Sequence, residues 1–153
     1  MVGYTQRFRR RWLTAREHIR LGRLGDITTA STRAFVNQMV GITRLAGNED
    51  RSLLSPMVIS GTHTLDIVMW LMAGKKPVEV YARSVGKSIV SYGTKDATMG
   101  VFTFDDGTIW NMTINWALPG LWPATVYSLE IGIVGTDGVR TIDDPHRDLV
   151  LAT

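Results

Sequence analysis

From Thr108 to Trp116 hydrophobic and polar positions alternate with a period of two. Trp110, Met112, Ile114 and Trp116 fall on one side, and Ile109, Asn111, Thr113 and Asn115 on the other. Successive side chains of a strand point to opposite faces, so this segment reads as a strand with one buried face. A second strand, Thr98–Phe104, precedes it across Asp105-Asp106-Gly107, a hairpin signal because glycine accepts a positive φ without steric cost. Val78–Val85, Thr125–Val134 and Val139–Ile142 complete a run of strands after Pro77, the last two joined by Thr136-Asp137-Gly138. Ahead of Pro77 the pattern differs. Residues 9–21 place Trp12, Ala15 or Arg16, and Ile19 at helical spacing and stop at Gly22; Ile27–Val36, rich in Thr, Val and Phe, suits a strand. Residues 44–56 mix charge, Gly, Asn, Ser and Pro and read as a loop, and a central helix follows over 57–73, closed by Gly74. These elements predict an α+β domain: an open, mainly antiparallel or mixed sheet with helices on one face and the other face available for oligomerisation.

The chain has 153 residues, 44% of them hydrophobic, enough for one domain with a sizeable core. It lacks cysteine, which excludes disulfides, thiol nucleophiles and thiolate-bound zinc and fits a cytoplasmic protein. Its longest apolar run is far below the roughly 20 residues of a membrane span, and its Arg-rich start lacks the apolar core of a signal peptide. Seven arginines against Glu17 alone give residues 1–25 a local charge of +6, while the rest of the chain sums to −3. A basic helix raises nucleic-acid binding as a rival function. No stacking motif or zinc-finger spacing supports it, so nucleic acid is not an expected partner.

The central helix carries the candidate chemistry. His63 and Asp66 are three residues apart, hence about 60° apart on a helix, and seven apolar residues from Ile67 to Ala73 follow them. An imidazole there can carry a proton near neutral pH, and a carboxylate nearby can fix its tautomer. The alternative is a satisfied core histidine beside a structural aspartate. His146, near Asp143 and Asp144, lacks the further ligands a metal site needs, so no metal is expected. No Gly-x-Gly-x-x-Gly follows a strand, so this chain is expected to bind no dinucleotide itself.

In order and spacing, five segments resemble the carboxy-terminal domain of the glucose-fructose oxidoreductase / inositol dehydrogenase / MocA (Gfo/Idh/MocA) family of NAD(P)-dependent oxidoreductases. They are GYTQRF at 3–8, IRLGRLGDI at 19–27, GTHTLDIVMWLMAGKKPVEV at 61–80, Asp96 with VFTFDDGTIWNMTINW at 101–116, and LEIGIVGTDGVRTIDD at 129–144. The resemblance implies a two-domain enzyme with an amino-terminal Rossmann domain that binds NAD or NADP. The present chain would then be the excised lobe, 1–153, that shapes the substrate pocket and forms a homo-oligomer through its sheet. It further implies hydride transfer with a sugar, polyol or related alcohol as the small-molecule substrate, and no turnover by this lobe alone. His63 matches the family's catalytic histidine; Tyr4 and Arg7 match its aromatic and arginine near the domain junction. Trp116 and Trp122, in WALPGLWP, are candidates to line a sugar pocket, since aromatic faces suit sugar CH groups. Asp66 is expected to be structural or orienting.

One departure stands out. The family often places an aspartate four residues before the histidine, one helical turn away; here that position is Ile59. A hydrocarbon cannot orient the imidazole, and this favours the competing expectation: a non-enzymatic dimerisation or interaction module with a vestigial pocket. The resemblance also implies a lysine of the first domain, carried in a Glu-Lys-Pro tripeptide, that handles the hydroxyl proton with the histidine; Lys76-Pro77 resembles that tripeptide only superficially, and reads as a helix end and strand start.

Overall fold

In the computed structural model, residues 3–49, 54–120 and 128–142 are described. The alternation in the sequence becomes a six-stranded sheet. Its strands are β1 (Ile27–Asn37), β2 (Pro77–Val85), β3 (Ala97–Phe104), β4 (Ile109–Leu118), β5 (Ser128–Gly135) and β6 (Val139–Ile142), in spatial order β2-β3-β4-β1-β5-β6. β1 pairs with β4 in parallel and with β5 antiparallel; the remaining neighbours are antiparallel. The mixed sheet and the α+β class are as the sequence predicts.

The register explains the faces. Thr32 sits opposite Met112 and Ile131, and the inward rows of β1, β4 and β5, from Ala30 and Ala34 through Trp110 and Ile114 to Leu129 and Ile133, are buried. Helix α1 (Arg10–Arg20) buries Trp12 and Ala15 against this surface, and α3 (Thr62–Leu71) buries Ile67, Val68 and Leu71. Burial of such apolar area, at about 25 cal/mol per Å², is the main force holding helices to sheet. The opposite face carries Ser31, Arg33, Asn111, Thr113 and Glu130 among exposed apolar side chains, and no helix among the described residues covers it.

Two elements differ from the sequence expectation. Helix α2 (Gln38–Ala46) was not anticipated, and the loop expected over 44–56 begins only at Gly47. Asn37 caps α2 by accepting a hydrogen bond from the Met39 amide at 2.8 Å. The helix then carries Leu45 into a smaller core with Val36, Ile89 and Trp116. Tertiary burial outweighs the weak local propensity of a Val-Gly-Ile-Thr stretch. The central helix, expected from residue 57, starts instead as a single π turn, Met57–Gly61, before α3. The helix ends at Leu71, short of the expected 73, and Gly74 with φ +100° lies in the turn that follows; Lys75, just beyond, is paired with Asp106.

Candidate functional site

The π turn and α3 bring Ile59, Ser60 and His63 to one wall of a pocket of about 300 Å³, and the segment before α1 brings Thr5 and Gln6 to the other. Trp116, with Val36 and Val40, closes the floor from the sheet and α2. π turns inside helices recur at functional sites because the extra residue re-aims side chains. Here Ser60 and His63, three apart, share the pocket face.

His63 is half-buried and lines the opening rather than being sealed in the core. The Tyr4 ring meets it edge-on, with centroids 5.7 Å apart and planes at 86°. Among the described residues no group hydrogen-bonds either ring nitrogen of His63. Among the described residues the imidazole is held by packing alone, with both nitrogens unbonded.

Asp66, which shares a helix face with His63, turns its carboxylate to Arg7 instead. Arg7 Nε donates to Asp66 Oδ2 at 2.8 Å and Nη2 donates to Oδ1, a two-pronged pair with Asp66 nearly buried. That hydrogen bond raises the Arg7 pKa above its ordinary value; burial opposes it, and the charges of Asp66 and Tyr4 add smaller raising effects. The pair clamps the turn Thr5–Phe8 onto α3, which fixes Tyr4 and Gln6 relative to His63. The orienting function anticipated for Asp66 thus runs through Arg7 and the chain segment it holds, not through the imidazole.

Trp116 is fully buried. Its indole Nε1 donates to Ser60 Oγ at 2.8 Å, and Gly41 of α2 lies so close that a Cβ there would sit 2.6 Å from the ring. It forms a pocket wall and anchors Ser60. Trp122 and His146 lie outside the described residues. Sequence reasoning missed Gln6 and Ser60, both over nine-tenths buried. The available signals were a polar residue inside the apolar run MVISG, three before His63, and a glutamine one place before Arg7.

The basic residues of the amino-terminal helix are largely drawn into structural contacts. Arg20 pairs with Glu17, while Arg16 stacks over Trp70 at 4.4 Å. Among the described residues no group of three or more His, Asp or Glu side chains could hold a metal ion, and no helix is long and apolar enough to cross a membrane. Neither α2 nor α3 begins from a glycine-rich turn after a strand: β1 enters α2 through Asn37, and α3 follows the π turn.

The fold matches solved dehydrogenases. Myo-inositol 2-dehydrogenase from Lactobacillus plantarum superposes with a TM-score of 0.78 at 19% identity, over 98% of this chain and 43% of that one. Scyllo-inositol dehydrogenase from Lactobacillus casei, solved with bound NAD(H) and scyllo-inositol, gives 0.76 at 20% identity, over 98% of this chain and 44% of that one. The chain thus spans less than half the length of either. No curated protein matches it by sequence. The model of the GFO/IDH/MocA C-terminal domain matches residues 12–140, and the chain belongs to that family.

Proposed function

We propose that this chain is the substrate-binding lobe of an oxidoreductase that acts on a CH–OH group of a sugar, polyol or related alcohol. Its companion is a Rossmann domain. The observation that carries this reading is the His63 imidazole, packed by Tyr4, unbonded among the described residues and facing a 300 Å³ pocket. A nicotinamide cofactor, NAD or NADP, supplies the hydride chemistry when bound. His63 takes the hydroxyl proton of the alcohol in the oxidative direction and returns it in the reductive one. Tyr4 keeps the ring edge-on, and the Arg7–Asp66 clamp keeps Tyr4 in place. Family membership supports the assignment, as do the ligands named in the solved Lactobacillus casei relative.

The uncovered sheet face is the proposed contact with a second copy of the chain. Tyr81, Met99, Val101, Ile109 and Val134 are all large apolar side chains on it, each more than two-fifths exposed. Such a row is more apolar than a solvated sheet face needs to be. Ile59 favours a second reading, in which this face is the working surface and the pocket is vestigial.

The test is turnover by the full-length native protein. With NAD or NADP and a panel of sugars, sugar acids and polyols, the oxidoreductase reading expects absorbance of the reduced cofactor to grow with at least one alcohol. A protein that assembles through its sheet and reduces neither cofactor on any of them would favour the interaction module.

A further inference from the structure

Two tryptophans set the polarity of the pocket. Gln6 is 7% exposed, and its Oε1 accepts a hydrogen bond from Trp12 Nε1 at 3.0 Å. An indole N–H can only donate, so the amide orientation is fixed with the carbonyl toward Trp12 and the NH2 turned away. Among the described residues that NH2 has no partner, yet it is not sealed from solvent, and Gln6 lines the pocket. Ser60 repeats the arrangement. It is 8% exposed, its Oγ accepts from Trp116 Nε1 at 2.8 Å, and its own hydroxyl hydrogen has no acceptor among the described residues. Two nearly buried side chains therefore spend an acceptor on an indole and keep a donor.

Among the described residues no carboxylate in the pocket balances them. Its polar side chains among the described residues are Thr5, Gln6, Ser60 and His63, and Ile59 stands between Pro56 and Ser60 where no carboxylate can accept. With His63 committed to the proton of the reacting alcohol and Thr5 exposed, a second hydroxyl here would meet two buried donors and, among the described residues, no buried side-chain acceptor that is not already bonded to an indole. An oxygen with lone pairs and no proton suits such donors and needs no acceptor of its own. Leaving such donors unpaired is costly, and this is how a polar site rejects the wrong group.

We infer that the pocket selects a substrate bearing a proton-free oxygen, a carboxylate or a ketone carbonyl, bound by Gln6 Nε2 and Ser60 Oγ beside the alcohol that faces His63. The substrate class is then a sugar acid or a keto-sugar rather than a plain polyol. This deepens the oxidoreductase reading and rests on it for the position of the reacting alcohol, but binding preference is measurable without turnover.

The experiment is an NMR titration of the 153-residue chain that follows the indole N–H signals of Trp12 and Trp116, each bonded to one of the two proposed groups. D-gluconate tests the carboxylate and dihydroxyacetone the carbonyl; D-glucitol and glycerol are their proton-bearing counterparts. Both indole signals are expected to move together with gluconate or with dihydroxyacetone, and the one that acts identifies the oxygen. The matching alcohol should bind about tenfold more weakly or worse. Gln6→Glu keeps the acceptor for Trp12 and removes the donor, so it should abolish that preference while leaving the Trp12 signal in its bonded range. Equal response to the alcohols, no response to any of the four, or an unchanged preference in Gln6→Glu overturns the inference. An active full-length enzyme with no such preference would defeat this inference alone. The preference without any turnover would defeat the oxidoreductase reading alone.

Discussion

Arg7 holds Asp66 with two parallel N–H donors across a sequence separation of 59 residues, and this pair joins the segment before α1 to the helix that carries His63. Breaking it from the Arg7 side leaves a nearly buried carboxylate without its cation, whereas Arg7 itself is well exposed. Arg7→Ala is therefore expected to destabilise the fold by about 1–2 kcal/mol, less than a fully buried pair would lose. Arg7→Lys should recover only part of this, because an ammonium cannot reproduce the fork. Chemical denaturation midpoints check both; a lysine variant as stable as the native chain would mean that charge alone holds the segment.

Gly41 faces the six-membered edge of the Trp116 indole. An alanine in a helix interior normally gains about 1 kcal/mol over glycine. Here the added Cβ would stand 2.6 Å from a ring that is fully buried and cannot swing away. Overpacking of this kind costs about 1–3 kcal/mol, so Gly41→Ala should be net destabilising by about 1 kcal/mol or more. It should also disturb the Trp116 indole signal. A stabilised variant would show that α2 shifts freely over the sheet.

Asp96 is 3% exposed and accepts backbone hydrogen bonds from Ser88 and Ile89 at 2.8 Å each, and from Lys87. Burial alone would raise its pKa, but the three donors outweigh burial and hold it below the ordinary carboxylate value. A carboxyl so depressed stabilises the fold at pH above its unfolded value of about 3.9 and stops doing so as pH falls through its folded value. Asp96→Asn should cost about 1–3 kcal/mol at neutral pH and flatten the loss of stability below about pH 4. Thermal unfolding of both proteins from pH 7 to pH 3 tests this; parallel curves would remove Asp96 from the acid response.

The sheet was legible where chemistry is local. The strict alternation of 109–116 fixed which side of β4 is buried, and Asp105-Asp106-Gly107, with Gly107 at φ +85°, fixed the hairpin. The parallel pairing of β1 with β4 was not legible, since register between strands some 80 residues apart is set by packing and not by any turn. Helix α2 was hidden because its nine residues offer little propensity and earn their place through Leu45 and the Asn37 cap. His63 stood out as an imidazole ahead of an apolar run. Gln6 and Ser60 did not, because what makes them donors is the position of Trp12 and Trp116, and that is a property of the folded chain.

The described strand-to-helix junctions offer no phosphate cradle, so the chain should bind neither NAD(H) nor NADP(H) measurably and should show no turnover by itself. Saturable quenching of tryptophan fluorescence by micromolar reduced cofactor would contradict this expectation.

If His63 moves the substrate's proton, one substitution reaches that step most directly. In the full-length native protein, His63→Ala is expected to lower kcat by about 10²–10⁴ with the fold and the KM little changed, because a positioned base contributes that much. An alanine variant that folds and keeps its kcat within a few-fold of the native enzyme would contradict the account.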